Sequence, residues 1–309
     1  MHHTIEIAVP AKATEGVLAE LEALEGVVHL SVVYGASVKP PGDVVTAHVL
    51  NREVDSVLAV AAQARQSGPV SVSTAEVQSI IDDHVERAVD DDVDESPWEE
   101  IERGLRHHGR LSRNFLALMG LGAVIAVAGL VSSPVPQALA LAAAGIIAPA
   151  FEPVAKLAVG LVRGSWYVVR RALIAVGGGY VSLAVVGALA YLSLQGLGMA
   201  SPEALTASEG VKTVTHPTAA DWLISACGAT AGVVIVSAFR HAVLAGALIA
   251  LALVPAAALV GAGLVAGEMV MALEALRRVG LDMLLVVMLG GAVVLLKQRL
   301  IHHNRPPLI

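Results

Sequence analysis

The feature that most constrains this chain is the stretch Asn114 to Arg163, NFLALMGLGAVIAVAGLVSSPVPQALALAAAGIIAPAFEPVAKLAVGLVR. It is apolar for longer than a soluble core helix needs, it is interrupted by Pro134, Pro136, Pro149 and Pro153, and it carries one carboxylate and one amine, Glu152 and Lys156. A run of this length and polarity is expected in a bilayer. Irregular, charge-bearing backbone is tolerated at that depth only where protein or a water-filled cavity surrounds it, so the break at Pro149 to Pro153 is the first place to look for function.

Composition supports a membrane setting. The 309 residues are 56% hydrophobic, 15% charged and 3% aromatic, with a mean hydropathy of +0.72. Trp166, Tyr191 and Trp222 fall near the ends of apolar runs, where interfacial aromatics are expected. A single cysteine, Cys227, excludes an internal disulfide and a cysteine-based metal site. The opening residues MHHTIEIAVPAK lack an apolar signal region, which predicts a cytoplasmic N-terminus.

Residues 1–75 read differently. Short β-branched runs at Ile5 to Val9, Val27 to Tyr34, Asp43 to Leu50 and Pro69 to Ser73 predict four strands. Helical patterns over Ala13 to Leu24 and Glu53 to Gln66 lie between them. The order βαββαβ predicts an α+β, ferredoxin-like cytoplasmic domain. Residues 76–112 follow as an acidic connector, dense in carboxylates from Asp82 to Glu100, and an interfacial amphipathic helix that starts at a capping box on Ser96 and Glu99. His107 and His108 are adjacent in sequence, a spacing unsuited to chelation from one helix face.

The segment 113–298 is expected to be an α-helical multi-pass transmembrane domain, with 299–309 as a cytoplasmic tail. Six spans are predicted, at about Asn114 to Val131, Val135 to Val162, Val168 to Leu194, Trp222 to Phe239, Val243 to Val265 and Val279 to Leu296. Most Lys and Arg residues, from Arg103 to Arg305, fall on one side if both termini are cytoplasmic. Lys212 lies in a polar loop from Gln195 to Ala220 on the other side. Arg277 and Arg278 are exceptions, which argue either for an external or interfacial amphipathic segment over 268–278 or for different bounds of the last spans.

Two spans close on similar sequences, Gly160-Leu161-Val162-Arg163-Gly164 and Gly263-Leu264-Val265-Ala266-Gly267, and both carry a mid-span proline. Three spans per copy would invert the second, the plan of proline-broken inverted repeats found in many transporters. The runs GLVSSPVPQALALAAAGIIAPAFEPVAKLAVGLVRGSWYVVRRAL and DWLISACGATAGVVIVSAFRHAVLAGALIALALVP, with a last span after Arg278, resemble domain of unknown function 389 over about Asn114 to Lys297. That resemblance implies a multi-pass bacterial or archaeal membrane protein and assigns no chemistry.

Glu152 and Lys156 stand four apart, acid first, so their side chains can share one helical face. An ion pair that locks two half-helices is one account of them; a proton or cation site is the other. Pro149 and Pro153 free backbone carbonyls that can coordinate a cation. Ser132 and Ser133 are expected to cap the span that Pro134 begins, making it a place for an anion. Pro255 lies mid-span in the corresponding segment of the second copy, and Asp282, near the start of the last span, reads first as a helix-start carboxylate at the interface and second as another candidate site. Gly177 to Gly179, Gly187 and Gly290 are expected at close helix contacts.

The expectation is thus a membrane transporter or channel for a small ion or solute, regulated by its cytoplasmic domain. Its partners would be the lipid bilayer, the solute and further copies of itself as a dimer or trimer. No cofactor, nucleic acid or enzymatic activity is expected, since HExxH, GxSxG and facing aspartates are missing. A membrane-anchored sensor or scaffold acting through the N-terminal domain is the alternative.

Overall fold

The structure is a computed structural model that describes residues 2–77, 92, 110–237 and 247–300. The capping box at Ser96, the amphipathic helix over 96–109, His107, His108 and the acidic run 82–100 other than Asp92 lie outside the described residues. The chain divides into two compact units, the first holding the strands and the second the helices from Arg113 onward.

In the first unit β1 (His2–Val9), α1 (Thr14–Glu22), β2 (Val27–Val38), β3 (Pro41–Val49), α2 (Val54–Ala64) and β4 (Ser71–Val77) follow in the expected order. The sheet runs β2-β3-β1-β4, and each neighbouring pair is antiparallel. Alternation puts Ile5, Ile7, Val9, Val45, Ala47 and Val49 on one face, where they form the core with Val17 and Leu21 of α1 and Val54 and Val57 of α2. Strand β2 shifts register between Val33 and Ser37, where Gly35 takes a φ of 65°. Asp43 fastens that irregularity: its carboxylate accepts the Thr14 hydroxyl at 2.5 Å and the Gly35 N–H at 2.7 Å. One acidic residue of the connector belongs here too. Asp92 accepts the Asn51 N–H at 2.6 Å and lies 3.4 Å from His2 Nδ1.

The second unit is helical among its described residues. Its helices are α3 (Arg113–Leu130), α4 (Pro134–Ile147), α5 (Phe151–Val162), α6 (Trp166–Gly196), α7 (Pro202–Ala207), α8 (Glu209–Thr215), α9 (Ala219–Ser237), α10 (Ala247–Ala266) and α11 (Met269–Leu300). By length and composition α3, α6 and α11 can each cross a membrane, and the bent pairs α4 with α5 and α8 with α9 raise the possible spans to five. Leu121, Leu139, Ile174, Val181, Leu189, Leu284 and Met288 lie on the outside, an apolar exterior compatible with lipid. Helix α10 is the axis. It is apolar on every side, with Leu253, Val254, Ala256, Ala258, Leu259 and Ala262 fully buried, as a helix surrounded by others must be.

Two expectations are corrected. The last helix begins at Met269 rather than Val279, so Arg277 and Arg278 lie inside it and not in a separate amphipathic segment. The stretch Gln195 to Ala220 is not a loop throughout, because α7 and α8 form within it. Tyr191 is fully buried within the helices.

The two similar sequence endings fold alike. Gly164 and Gly267 take left-handed φ values of 66° and 80°. Ser165 N–H reaches back to the Gly160 carbonyl at 3.0 Å, and Glu268 N–H to that of Gly263 at 2.9 Å, the Schellman arrangement in both cases. In each hairpin the earlier glycine lets the returning helix approach: a Cβ on Gly160 would meet the Val169 backbone at 3.1 Å, and one on Gly263 the Ala272 backbone at 3.3 Å.

Helices α6 and α10 touch through their backbones. A Cβ on Gly261 would stand 1.8 Å from the Ala184 carbonyl oxygen, and one on Gly187 would stand 2.6 Å from that of Ala258. Gly261→Leu is therefore expected to lower the detergent-solubilised melting temperature sharply, overpacking being worth about 1–3 kcal/mol or more, whereas Gly177→Ala, with nothing within 4 Å, should leave it unchanged.

The Thr14 hydroxyl and then the Gly35 N–H hold Asp43 below the usual carboxylate range. A depressed folded-state value stabilises the sheet above the ordinary range near about 3.9, and that contribution is lost as pH falls through the lower value. Hydrogen exchange of the β2–β3 amides, corrected for intrinsic rates, should show protection falling on acidification in the full chain, with much less change in Asp43→Asn.

Candidate functional site

The break between α4 and α5 follows from Pro149. A residue before proline is driven out of the helical region, and Ala148 is extended with φ −81° and ψ 119°. The chain turns by 49° there. Glu152 is in the first turn of α5 and half-buried, Lys156 one turn on is fully buried, and Pro153 is buried beside them. The Tyr180 hydroxyl of α6 donates to the Ala150 carbonyl at 3.1 Å, so the broken backbone is met by a side chain. A Cβ on Gly122 of α3 would stand 2.6 Å from that of Ala148, so α3 packs closely against the break.

A second polar layer is centred on α11. Arg278 is 5% and Asp282 1% exposed. Four apart on the helix, they pair through Arg278 Nε to Asp282 Oδ2 at 2.7 Å. Arg278 Nη2 donates to the Ser225 hydroxyl of α9 at 2.8 Å, and the guanidinium carbon lies 4.3 Å from the Trp222 ring centre.

A cavity of about 300 Å³ opens beside the guanidinium, lined by Pro134, Gln137, Ser225, Ala252, Pro255 and Arg278 among others. Helix α10 continues through Pro255, which removes an N–H and leaves the carbonyl one turn earlier without its helical donor. Gln137, buried at the start of α4, donates its amide to the Ser208 hydroxyl at 2.8 Å. It also borders a neighbouring space of about 260 Å³ that includes Ser132.

The structure thus gathers Pro134 and Pro255 at one cavity with Asp282 behind its wall, while Ser132 lines the adjoining one. Glu152, Lys156, Pro149 and Pro153 belong to the break. The expected capping by the serines is corrected: Ser133 holds the N-cap position without a side-chain bond, and the Ser132 hydroxyl donates to the Ala128 carbonyl at 2.6 Å. Both first-turn prolines lack an N–H for such a cap to bind.

Sequence reasoning missed Arg278, Ser225, Trp222 and Gln137. Arg278 to Asp282 has the same four-residue spacing that drew attention to Glu152 and Lys156, and placing Arg278 outside the span concealed it. No group of three or more His, Cys, Asp or Glu residues that could hold a metal ion occurs among the described residues.

Apolar helices compatible with a membrane, a proline break and a buried ion pair beside a cavity define the class of this second unit. Residues 146–288 match the family model for a domain of unknown function, DUF389, so the expected resemblance holds over the break, the ion pair and most of the cavity wall. No curated protein and no solved structure matches the chain.

Removing one partner of a buried pair leaves an uncompensated charge, at a typical cost of about 3–5 kcal/mol. Asp282→Ala should therefore melt well below the parent in detergent. The double variant Arg278→Met/Asp282→Leu, which removes both charges, should recover most of that loss.

Proposed function

We propose that this chain is a membrane transporter or channel for a small ion or solute, with a regulatory N-terminal domain of ferredoxin-like form. The observation that carries the proposal is the Arg278–Asp282 pair, buried within a helix able to cross a membrane and placed at a cavity bounded by Pro255. Charge is rare inside spans, and where it occurs it usually faces a bundle interior or a water-filled path. An anchor would need neither the pair, the break nor the cavity.

Inverted repeats are part of the proposal. The matching hairpin caps at Gly164 and Gly267 support them. Six spans, both termini in the cytoplasm and assembly as a homo-oligomer are proposed with it. The order βαββαβ with β1 inside the sheet supports the ferredoxin-like form. No catalytic role and no cofactor are proposed.

The test is flux. Purified protein in liposomes should pass at least one of a panel of monovalent ions, divalent ions and small organic anions, and Arg278→Met/Asp282→Leu should reduce that flux at least about tenfold while remaining folded. Glu152→Gln should alter rate or selectivity if the path also crosses the break. Silence for every solute, with folded protein, favours a membrane-anchored sensor instead.

A further inference from the structure

We propose that His29 of β2 and His48 of β3 form a two-nitrogen site for a late first-row divalent metal ion such as Zn²⁺, on the open face of the N-terminal sheet. The site belongs to this unit alone and stands apart from the transport reading.

A bulge makes the two histidines neighbours. Leu30 and Val32 of β2 and Ala47 and Val49 of β3 turn toward the core, so the residues that alternate with them stand on the other face. The register steps from Val27 opposite Val49 to His29 opposite His48, two residues on β2 for one on β3, and Val28 is the extra residue. In an unbulged ladder Val28 would oppose His48, and His29 would pair with Ala47 on the core face. The irregularity therefore turns His29 outward and sets it beside His48.

The spacing fits a chelate. The ring centres are 4.9 Å apart and the planes are inclined by 43°, which is not the arrangement of stacked rings. With metal–nitrogen bonds of about 2.0–2.1 Å and an angle at the metal between square and tetrahedral, two imidazole centres that share one ion stand about 4.5–5.2 Å apart. Neither ring has a hydrogen bond or a carboxylate partner among the described residues. Burial, and then the charge of His29, hold His48 below the ordinary imidazole value, which favours the neutral form that a metal requires. As a pair of cations the two rings would repel, since like charges opposite each other on a sheet are destabilising.

The donor set selects the ion. Imidazole nitrogen suits Zn²⁺, Ni²⁺ and Cu²⁺, whereas Mg²⁺ and Ca²⁺ prefer oxygen. Glu6 shares the open face, but its carboxylate accepts the Ser73 hydroxyl of β4 at 3.4 Å, on the side of β1 away from β3. Thr4 and Thr46 flank His48 instead, and water completes the coordination. His2 lies 3.4 Å from Asp92, so its ring is held elsewhere and serves as an internal control.

A residue-specific measurement tests the site. Full-length protein in detergent, purified without a histidine tag, is treated with diethylpyrocarbonate in the presence and absence of Zn²⁺, and modification of each histidine is read by peptide mass spectrometry. Zn²⁺ should slow the reaction at least about fivefold at both His29 and His48, and Mg²⁺ and Ca²⁺ should not. His29→Asn should abolish the protection of His48, and His48→Asn that of His29, while protection or reactivity of His2 stays as in the parent. That mutual dependence separates a chelate from two exposed rings that each bind alone. His29 is exposed, so His29→Asn keeps the sheet folded, which circular dichroism verifies, and it carries the test even if His48→Asn unfolds. Protection of one ring alone, protection of His48 that survives in folded His29→Asn, equal protection by Mg²⁺, or no protection by Zn²⁺ overturns the proposal.

Discussion

The helical unit depends on contact between two backbones. Where α6 meets α10, Gly261 and Gly187 allow Ala184 and Ala258 to approach with nothing between them, closer than any side chain permits. Lipid tails are as apolar as the helix surfaces, so burial of leucine in a bilayer does little to hold helices together. Close van der Waals approach at small residues does that work instead. It also accounts for Gly261 of α10, where the α6 backbone leaves no room for a side chain.

Tight packing makes each polar group within the bundle a constraint. Broken backbone at Ala150 is met by Tyr180, the Gln137 amide by Ser208, and the Asp282 carboxylate by Arg278. Neighbouring contacts differ in kind. An added Cβ on Gly179 of α6 would stand 2.8 Å from the Met119 methyl of α3, a packed apolar contact. Between α11 and α9 stand an ion pair, a hydroxyl and an indole.

The N-terminal unit is built on alternation along its strands. Its core lies between one sheet face and two helices, and the polar residues Thr4, Thr46 and His48 occupy the other face. Two carboxylates pin its irregular places, Asp43 at the bulge of β2 and Asp92 at the turn that precedes α2. Asp92 belongs to a connector that composition alone reads as solvated spacer, so at least this residue has a defined partner.

The sequence by itself determined the order of strands and helices, the apolar segments and the break. Each of these is a local matter: alternation at period two, runs longer than a soluble helix needs, and the restriction that Pro149 imposes on Ala148. Repetition of the Gly-Leu-Val endings was visible as well, because a left-handed cap needs glycine wherever it occurs. What the tertiary structure decided was which charges matter. Arg278 read as a flanking residue, since hydropathy ends a span at the first pair of arginines and cannot register that Ser225, fifty-three residues earlier, supplies a hydroxyl to it. Nor could it show that Asp282 pairs with Arg278 while Tyr180 reaches the break. Whether a charge can remain inside a bundle depends on partners brought together by helix packing, and that information lies in no single stretch of the chain.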